Sequence, residues 1–183
     1  CLSIQNNVPQ ITDAVSALAS FYRIGLSKGE DNIKLRDEIS HAQMYLKILN
    51  IRFSDQIHTV WEIAPEIEDL HIIKMILQPI IENAAIHGIY ERENGRGAIK
   101  IRGWQEEEHV YLTVEDDGVG MPQEVIAANF SPASQEISDM PGGYGIRNIC
   151  DRIHIAYGAQ YGLSCKSKMG VGSTVTIHIP RCP

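Results

Sequence analysis

Basic residues are few in this sequence: 16 Lys and Arg stand against 23 Asp and Glu in 183 residues, a formal net charge of −7. Neutralising a nucleic-acid backbone needs a dense Lys/Arg field, so this balance excludes a nucleic-acid surface. A small anion can still bind locally, because backbone N–H groups and helix N-termini hold phosphate whatever the net charge. Cysteine is scarce, and Cys1, Cys150, Cys165 and Cys182 form no C-x-x-C pair. A chain of this length folds without disulfides, so reduced thiols in a cytosolic compartment are expected. Long apolar runs are also missing: residues 72–81 are interrupted by Lys74, Gln78 and Pro79, well short of a membrane span. With neither a signal peptide nor an anchor in the numbered residues, no direct membrane contact is expected of them. Internal repeats and low-complexity segments are absent, and no G-x-x-x-x-G-K-[ST] string occurs, which excludes a P-loop enzyme.

What is present is enough apolar material, 44% of residues, to fill one substantial core. From 11 to 26, Ile11, Val15, Leu18, Ala19 and Tyr22 recur at helical spacing, with Thr12 and Asp13 as cap candidates. A turn at 28–32 leads to a second amphipathic stretch, 35–53, with Leu35, Ile39, Ala42, Leu46 and Leu49 on one stripe. Together these predict a helical hairpin over 1–55. A second domain, 56–183, opens with an alternating strand at 58–63 and an acidic connection at 65–70. The apolar stretch 72–87 predicts a buried helix, kinked by Pro79 or beginning near it. Strands follow at 98–104 and 109–115, then a Gly/Pro/Ser-rich region at 118–145 and a helix to about residue 157. Two last strands, 162–165 and 173–179, flank a turn at 168–170. Mixed strands and helices imply a two-layer α/β plan. The long glycine-rich connection is the anomaly, since loops beyond about 12–15 residues inside a domain are usually functional or disordered.

Four features occur in fixed order: Glu82-Asn83 with His87-Gly88, Asp116-Asp117-Gly118-Val119-Gly120-Met121, Gly142-Gly143-Tyr144-Gly145-Ile146, and Gly170-Val171-Gly172-Ser173-Thr174. Each alone has a plain structural explanation. Asn83 suits a helix surface, His87 a helix C-terminus and Gly88 its cap, and the remaining glycines suit ordinary turns and a hairpin. Taken singly, His87, Gly170 and Gly172 favour that explanation. The ordered set favours a ligand for Asn83, Asp116, Gly118, Gly120 and Gly145. An ionised carboxylate only accepts hydrogen bonds, so Asp116 at a strand end suits the exocyclic amine of an adenine. Gly118 and Gly120 let the backbone approach the base. N–H groups at 143–145, with the positive end of the helix behind them, can face a polyphosphate, and Arg147 is a further phosphate candidate. Mg²⁺ takes few protein ligands, so the Asn83 carbonyl suffices, with Glu82 as a second polar candidate.

LQPIIENAAIHGI at 77–89 resembles the N box of sensor histidine kinases of the LQPLVENAIKHG type. VEDDGVGM at 114–121 is similar to their first glycine box, GGYGIRNICDRI at 142–153 to the second, and GVGSTVTIHIP at 170–180 to the last. EISHAQMYLKILNIRF at 38–53 matches the segment that leads into that domain, so the resemblance covers nearly the whole chain. It implies the Bergerat ATP-binding fold, an α/β sandwich with a mixed sheet and three helices, with 122–141 as the ATP lid. It also implies ATP and Mg²⁺ as cofactors, with Glu82 and Asn83 catalytic and Asn83 on the metal. The implied cofactor-binding set is Asn83, His87, Asp116, Gly118, Gly120, Met121, Gly143, Tyr144, Gly145, Ile146, Arg147, Ser173 and Thr174. The implied context is a membrane-anchored bacterial parent with this part in the cytoplasm, homodimeric, relaying phosphate to a response regulator.

The family usually has Lys at Ile86, Asn at Asp117 and Thr at Ser173. Losing the Lys removes a phosphate cation, and Asp117 adds a negative charge near an anionic ligand. Family members carry their phosphoacceptor His in a PHFLFNTL-like string, expected upstream of this stretch and absent from it. His41, on the second helix, reads as a helix-surface residue. ATP–Mg²⁺ binding without self-labelling is therefore expected. A hydrolytic relative, as in topoisomerases or chaperones, needs a carboxylate one turn before the Asn, where this chain has Pro79. The other alternative is a degenerate domain acting by interaction alone.

Overall fold

The computed structural model describes residues 31–52, 56–130 and 143–182. Strand β1 (Asn32–Lys34) runs directly into helix α1 (Leu35–Arg52), followed by β2 (Ile57–Ile63), a 3₁₀ turn at Pro65–Ile67 and β3 (His71–Ile73). Helix α2 (Gln78–Asn83) continues as a π-helical turn, Ala84–Ile89. Then come β4 (Gly97–Glu106), β5 (His109–Asp116), α3 (Gln123–Phe130), α4 (Gly143–Tyr157), β6 (Gly162–Lys168) and β7 (Gly172–Pro180).

Five strands form one sheet in the order β2-β4-β5-β7-β6, and β1 and β3 form a separate antiparallel pair. β2 runs parallel to β4, whereas β4–β5, β5–β7 and β7–β6 are antiparallel. The sheet is mixed, as the sequence resemblance implied. Alternation assigns the faces: Ile99 and Ile101, Val110, Leu112 and Val114, and Val175, Ile177 and Ile179 are all buried. They share one core with Ile80, Ile81, Ala84 and Ala85 of the α2 segment and Ile146, Ile149 and Ile153 of α4. The helices therefore cover one face of the sheet, and the loops at one end of it carry the glycine motifs.

The α1 stripe is as the periodicity predicted, since Leu35, Ile39, Ala42, Leu46 and Leu49 are all buried. It belongs to the same core as the sheet. At its far end the Asn50 amide donates to the Ile57 carbonyl at 2.9 Å and accepts the Ile57 N–H at 3.1 Å, which fixes where β2 starts. His41 is fully buried, so its assignment to the helix surface is corrected: it flanks the inward stripe, one turn after the equally buried Glu38. The helix expected over 11–26, and with it the first limb of the hairpin, lies outside the described residues.

Three further expectations change. Residues 72–87 are not one helix: His71–Ile73 pair antiparallel with Asn32–Lys34, a three-residue strand that the sequence reading placed in a turn and its approach. The chain then bends, with Met75 at φ 59°, and α2 begins at Gln78 with Pro79 in its first turn, where a missing N–H costs nothing. Residues 122–141 are not wholly a loop, because Gln123–Phe130 is helical; that run contains neither Gly nor Pro. The rest of the expected lid, 131–141, lies outside the described residues.

Candidate functional site

Asp116 closes β5, opposite Ile99 of β4 and Ser173 of β7. Strand alternation turns its side chain to the same face as Leu112 and Val114, under the α2 segment. Its Oδ1 accepts the Gly118 N–H at 2.9 Å, closing an Asx-type turn. Burial is the main influence on this carboxyl and pushes its pKa up to about 6. The N–H groups of Gly118 and Ser173 oppose that rise, and the charges of Asp117 and Glu115 add to it.

The loop after Asp116 is wedged between two backbones. A Cβ on Gly118 would stand 2.3 Å from the Gly88 carbonyl carbon, and one on Gly88 would stand 2.8 Å from Asp116 Oδ1. Val119 N–H donates to the Gly88 carbonyl at 3.0 Å, and Gly170 N–H to the Val119 carbonyl at 2.7 Å. Gly120 has φ 73°, and a Cβ there would stand 2.2 Å from the Lys168 carbonyl oxygen. Met121 N–H donates to Ser167 Oγ at 2.7 Å, and Ser167 and Ser173 hydroxyls lie 2.9 Å apart. The glycines thus serve close backbone approach. Gly88 is not a helix cap, because the π-helical turn runs on to Ile89. The extra residue of that turn is closed by Tyr90 N–H on the Ala85 carbonyl at 3.0 Å, an i to i−5 bond.

Above Asp116 lies a cavity of about 390 Å³. Asn83, His87 and Glu91 line it from the α2 side, Val114 and Val175 from the sheet, Met121 and Phe130 from the two ends of the α3 segment, and Ile146 from α4. Asp116, Gly120 and Ser173 complete the predicted residues that border it. His87 Nδ1 lies 3.2 Å from Glu91 Oε1. α4 begins at Gly143, so the first N–H groups of that helix, at 143–146, have no intrahelical acceptor.

Other predicted residues stand elsewhere. Glu82 does not line the cavity; one residue along a helix is turned by about 100° from Asn83. Gly118 and Gly145 do not border it either, and Gly118 instead underlies its floor through Gly88. Among the described residues, a Cβ on Gly145 would meet only Pro79 Cβ, at 3.8 Å. Thr174 lies in a separate groove with Lys100, Lys166 and Asp117. Arg147 turns its guanidinium to the Ala128 carbonyl, 3.3 Å from Nε and 2.8 Å from Nη2. Asp117 does not line the cavity, although its charge reaches the Asp116 carboxyl on the floor. Its Oδ1 accepts Ala98 N–H at 2.7 Å and its Oδ2 pairs with Arg92 at 3.0 Å.

Glu91, Asn129 and Phe130 line the cavity without having been singled out. Glu91 was accessible to the helical rule, eight residues after Asn83 and four after His87 on one face. Asn129 and Phe130 had no such signal, being part of a segment read as a loop.

The profile of the histidine kinase-, DNA gyrase B- and HSP90-like ATPases matches residues 68–183, well over half of the chain. The chain belongs to that family. A second profile, histidine kinase, matches residues 1–57. Sensor histidine kinase BtsS of Escherichia coli K12 is 29% identical over 97% of this chain, and sensor histidine kinase YesM of Bacillus subtilis is 28% identical over 98%. The chain spans 29% of the length of each of these relatives. Among solved structures, the catalytic domain of histidine kinase ThkA aligns with a TM-score of 0.59 at 22% identity, covering 83% of this chain and 95% of that one. The histidine kinase domain of the Erythrobacter litoralis blue-light activated kinase aligns at 0.59 and 18%, covering 94% and 75%.

In this histidine kinase-like ATPase the fold is the α+β sandwich of sensor kinase catalytic domains, and the domain is the ATP-binding one. The described residues suit such a ligand: an apolar slot for a flat base, one buried carboxylate on its floor, and Ile146 of the first turn of α4 on its wall. Among the described residues no helix is long and apolar enough to cross a membrane.

Proposed function

We propose that this domain binds ATP with its adenine amine on Asp116 and its phosphates toward the start of α4, with Mg²⁺ on the Asn83 side-chain carbonyl. It presents the γ-phosphoryl group to a histidine imidazole outside these 183 residues. The phosphoryl group then passes to a response regulator. The parent protein is a membrane-anchored homodimer with this part in the cytoplasm, and within the chain residues 1–55 are the C-terminal part of the dimerisation and phosphoacceptor region while 56–183 bind nucleotide. Phosphoryl transfer of this kind depends on placement and charge neutralisation. Glu82, one residue before Asn83, is the candidate for ordering the nucleophile or the metal's water. Bound Mg²⁺ would neutralise charge on the phosphates.

The observation that carries this reading is Asp116: a buried carboxylate, held by two backbone N–H groups on the floor of an apolar cavity. A carboxylate retains acceptor sites beyond two bonds, and an amine donor fills one. Calorimetry of a non-hydrolysable ATP analogue, with and without Mg²⁺ and with Asp116→Asn alongside, tests it. The unsubstituted chain should bind, and the Asn variant should bind about 10- to 100-fold more weakly, the worth of a hydrogen bond to a charged group. Incubation with γ-labelled ATP should leave the chain unlabelled. Absence of analogue binding by the unsubstituted chain leaves only an interaction module, and stable phosphate on one of its own histidines contradicts an acceptor outside these 183 residues.

A further inference from the structure

One buried carboxylate accepts three consecutive backbone N–H groups at the entrance to α2. Glu38, in the first turn of α1, is 1% exposed. Its Oε2 accepts Met75 N–H at 2.8 Å, and its Oε1 accepts Ile76 N–H at 2.8 Å and Leu77 N–H at 2.9 Å. The carbonyls of the same connector are held from the opposite side by α4. Arg152 Nη2 donates to the Lys74 carbonyl at 2.5 Å and Nη1 to that of Met75 at 3.3 Å, while Tyr157 Oη accepts Ile73 N–H at 2.9 Å. Residues 73–77 are thus fixed from α1 by a carboxylate and from α4 by a guanidinium and a phenol.

This arrangement exceeds what capping a short helix needs. Met75 holds φ 59°, a region that non-glycine residues enter only when their surroundings impose it. Here the surroundings are Glu38 on its N–H and Arg152 on its carbonyl. Desolvation pushes the Glu38 carboxyl upward; the three N–H groups and Arg152 oppose it, and so offset part of the cost of its burial. Glu38 lies in the stretch matched by the histidine kinase profile, and the connector in the stretch matched by the ATPase profile. α2 carries Asn83 only six residues beyond Leu77.

We propose that Glu38 is a positioning residue: by gripping the three N–H groups it sets where α2 sits, and through α2 the nucleotide affinity at Asn83. This rests on the nucleotide reading above. Glu38→Gln keeps the volume but turns an amide NH₂ toward at least one N–H donor. Glu38→Asp keeps both acceptor oxygens and shortens the reach by one methylene. Leu49→Ala serves as the control, a buried position on the same helix about 16 Å further along.

The test uses the 183-residue chain, calorimetry with a non-hydrolysable ATP analogue and Mg²⁺, melting temperature, and amide hydrogen exchange. Glu38→Gln should bind about tenfold more weakly and exchange faster at Ile76, Leu77 and along α2, and Glu38→Asp should fall between it and the unsubstituted chain. Leu49→Ala should lose as much melting temperature while its affinity stays within about twofold. Where Glu38→Gln does not fold, the Asp variant against Leu49→Ala carries the comparison. Unchanged affinity in the Glu38 variants, or an equal loss in Leu49→Ala, overturns the positioning role while leaving the nucleotide site intact. An unsubstituted chain that binds no analogue overturns both.

Discussion

Asp116 should tie stability and ligand affinity to pH in opposite directions. Its carboxyl titrates near 6 in the folded chain because burial disfavours the charge, against an ordinary value of about 3.8 in an unfolded one. The folded state therefore holds the extra proton between those two values, and the stability that this proton contributes is lost as pH rises through 6. At about 1.4 kcal/mol per pH unit the full span is about 3 kcal/mol, of which about 2 kcal/mol falls between pH 4 and pH 7. Asp116→Asn carries no titrating proton, so subtracting the stability of one protein from the other removes the contribution of every other group. Urea titrations of both proteins should show the Asn variant gaining on the unsubstituted chain by about 2 kcal/mol from pH 4 to pH 7. Nucleotide binding should run the other way. An amine donor needs the ionised carboxylate, so analogue affinity should fall about tenfold per pH unit below about 6 in the unsubstituted chain and stay flat in the variant. A stability difference that does not change over this range would refute the claim that Asp116 is a desolvated carboxylate.

Gly120→Ala places a Cβ 2.2 Å from the Lys168 carbonyl oxygen at φ 73°, so the β6–β7 hairpin must move away. A loss of at least about 2 kcal/mol is expected in urea unfolding, with weaker analogue binding because Met121 moves with it. Burial, with Asp116 nearby, pushes the Cys165 thiol up to about 12. Iodoacetamide at pH 8, followed by peptide mass spectrometry, should therefore modify Cys182 well before Cys165.

The strands of the main sheet were legible because alternation along β4, β5 and β7 is strong and each faces one core. Helix α1 was legible because its five-residue stripe never breaks period. The strand at His71–Ile73 was not, since its own Ile72, with Ile76 and Ile80, also satisfies a helical pattern. What decides against a helix is non-local: the backbone of Asn32–Lys34 and the carboxylate of Glu38, both more than thirty residues away. His41 was misplaced for a similar reason, because a polar residue on a stripe edge looks solvent-facing until its neighbours are known. In the site, the residues whose chemistry is carried by their type stood out, such as Asp116 and the glycines that let backbones touch. The partners of Asp117, Arg92 and the Ala98 N–H, were not legible, because only the fold brings them near. Asn129 and Phe130 line the cavity through placement alone.

The π turn at Ala84–Ile89 makes chain length here as constrained as residue identity. Deleting one residue from it would restore a regular α-helix, with every turn hydrogen-bonded and no obvious local penalty. The wide turn absorbs its extra residue locally: Tyr90 N–H reaches the Ala85 carbonyl across five residues, and with one residue between them removed the same two ends would bond across four, so the flanks would keep nearly their present orientation. What would change is the bulge itself, and with it the Gly88 backbone that packs on Asp116 and Gly118. A single-residue deletion in this turn should therefore be tolerated by the helix and felt at the floor of the cavity.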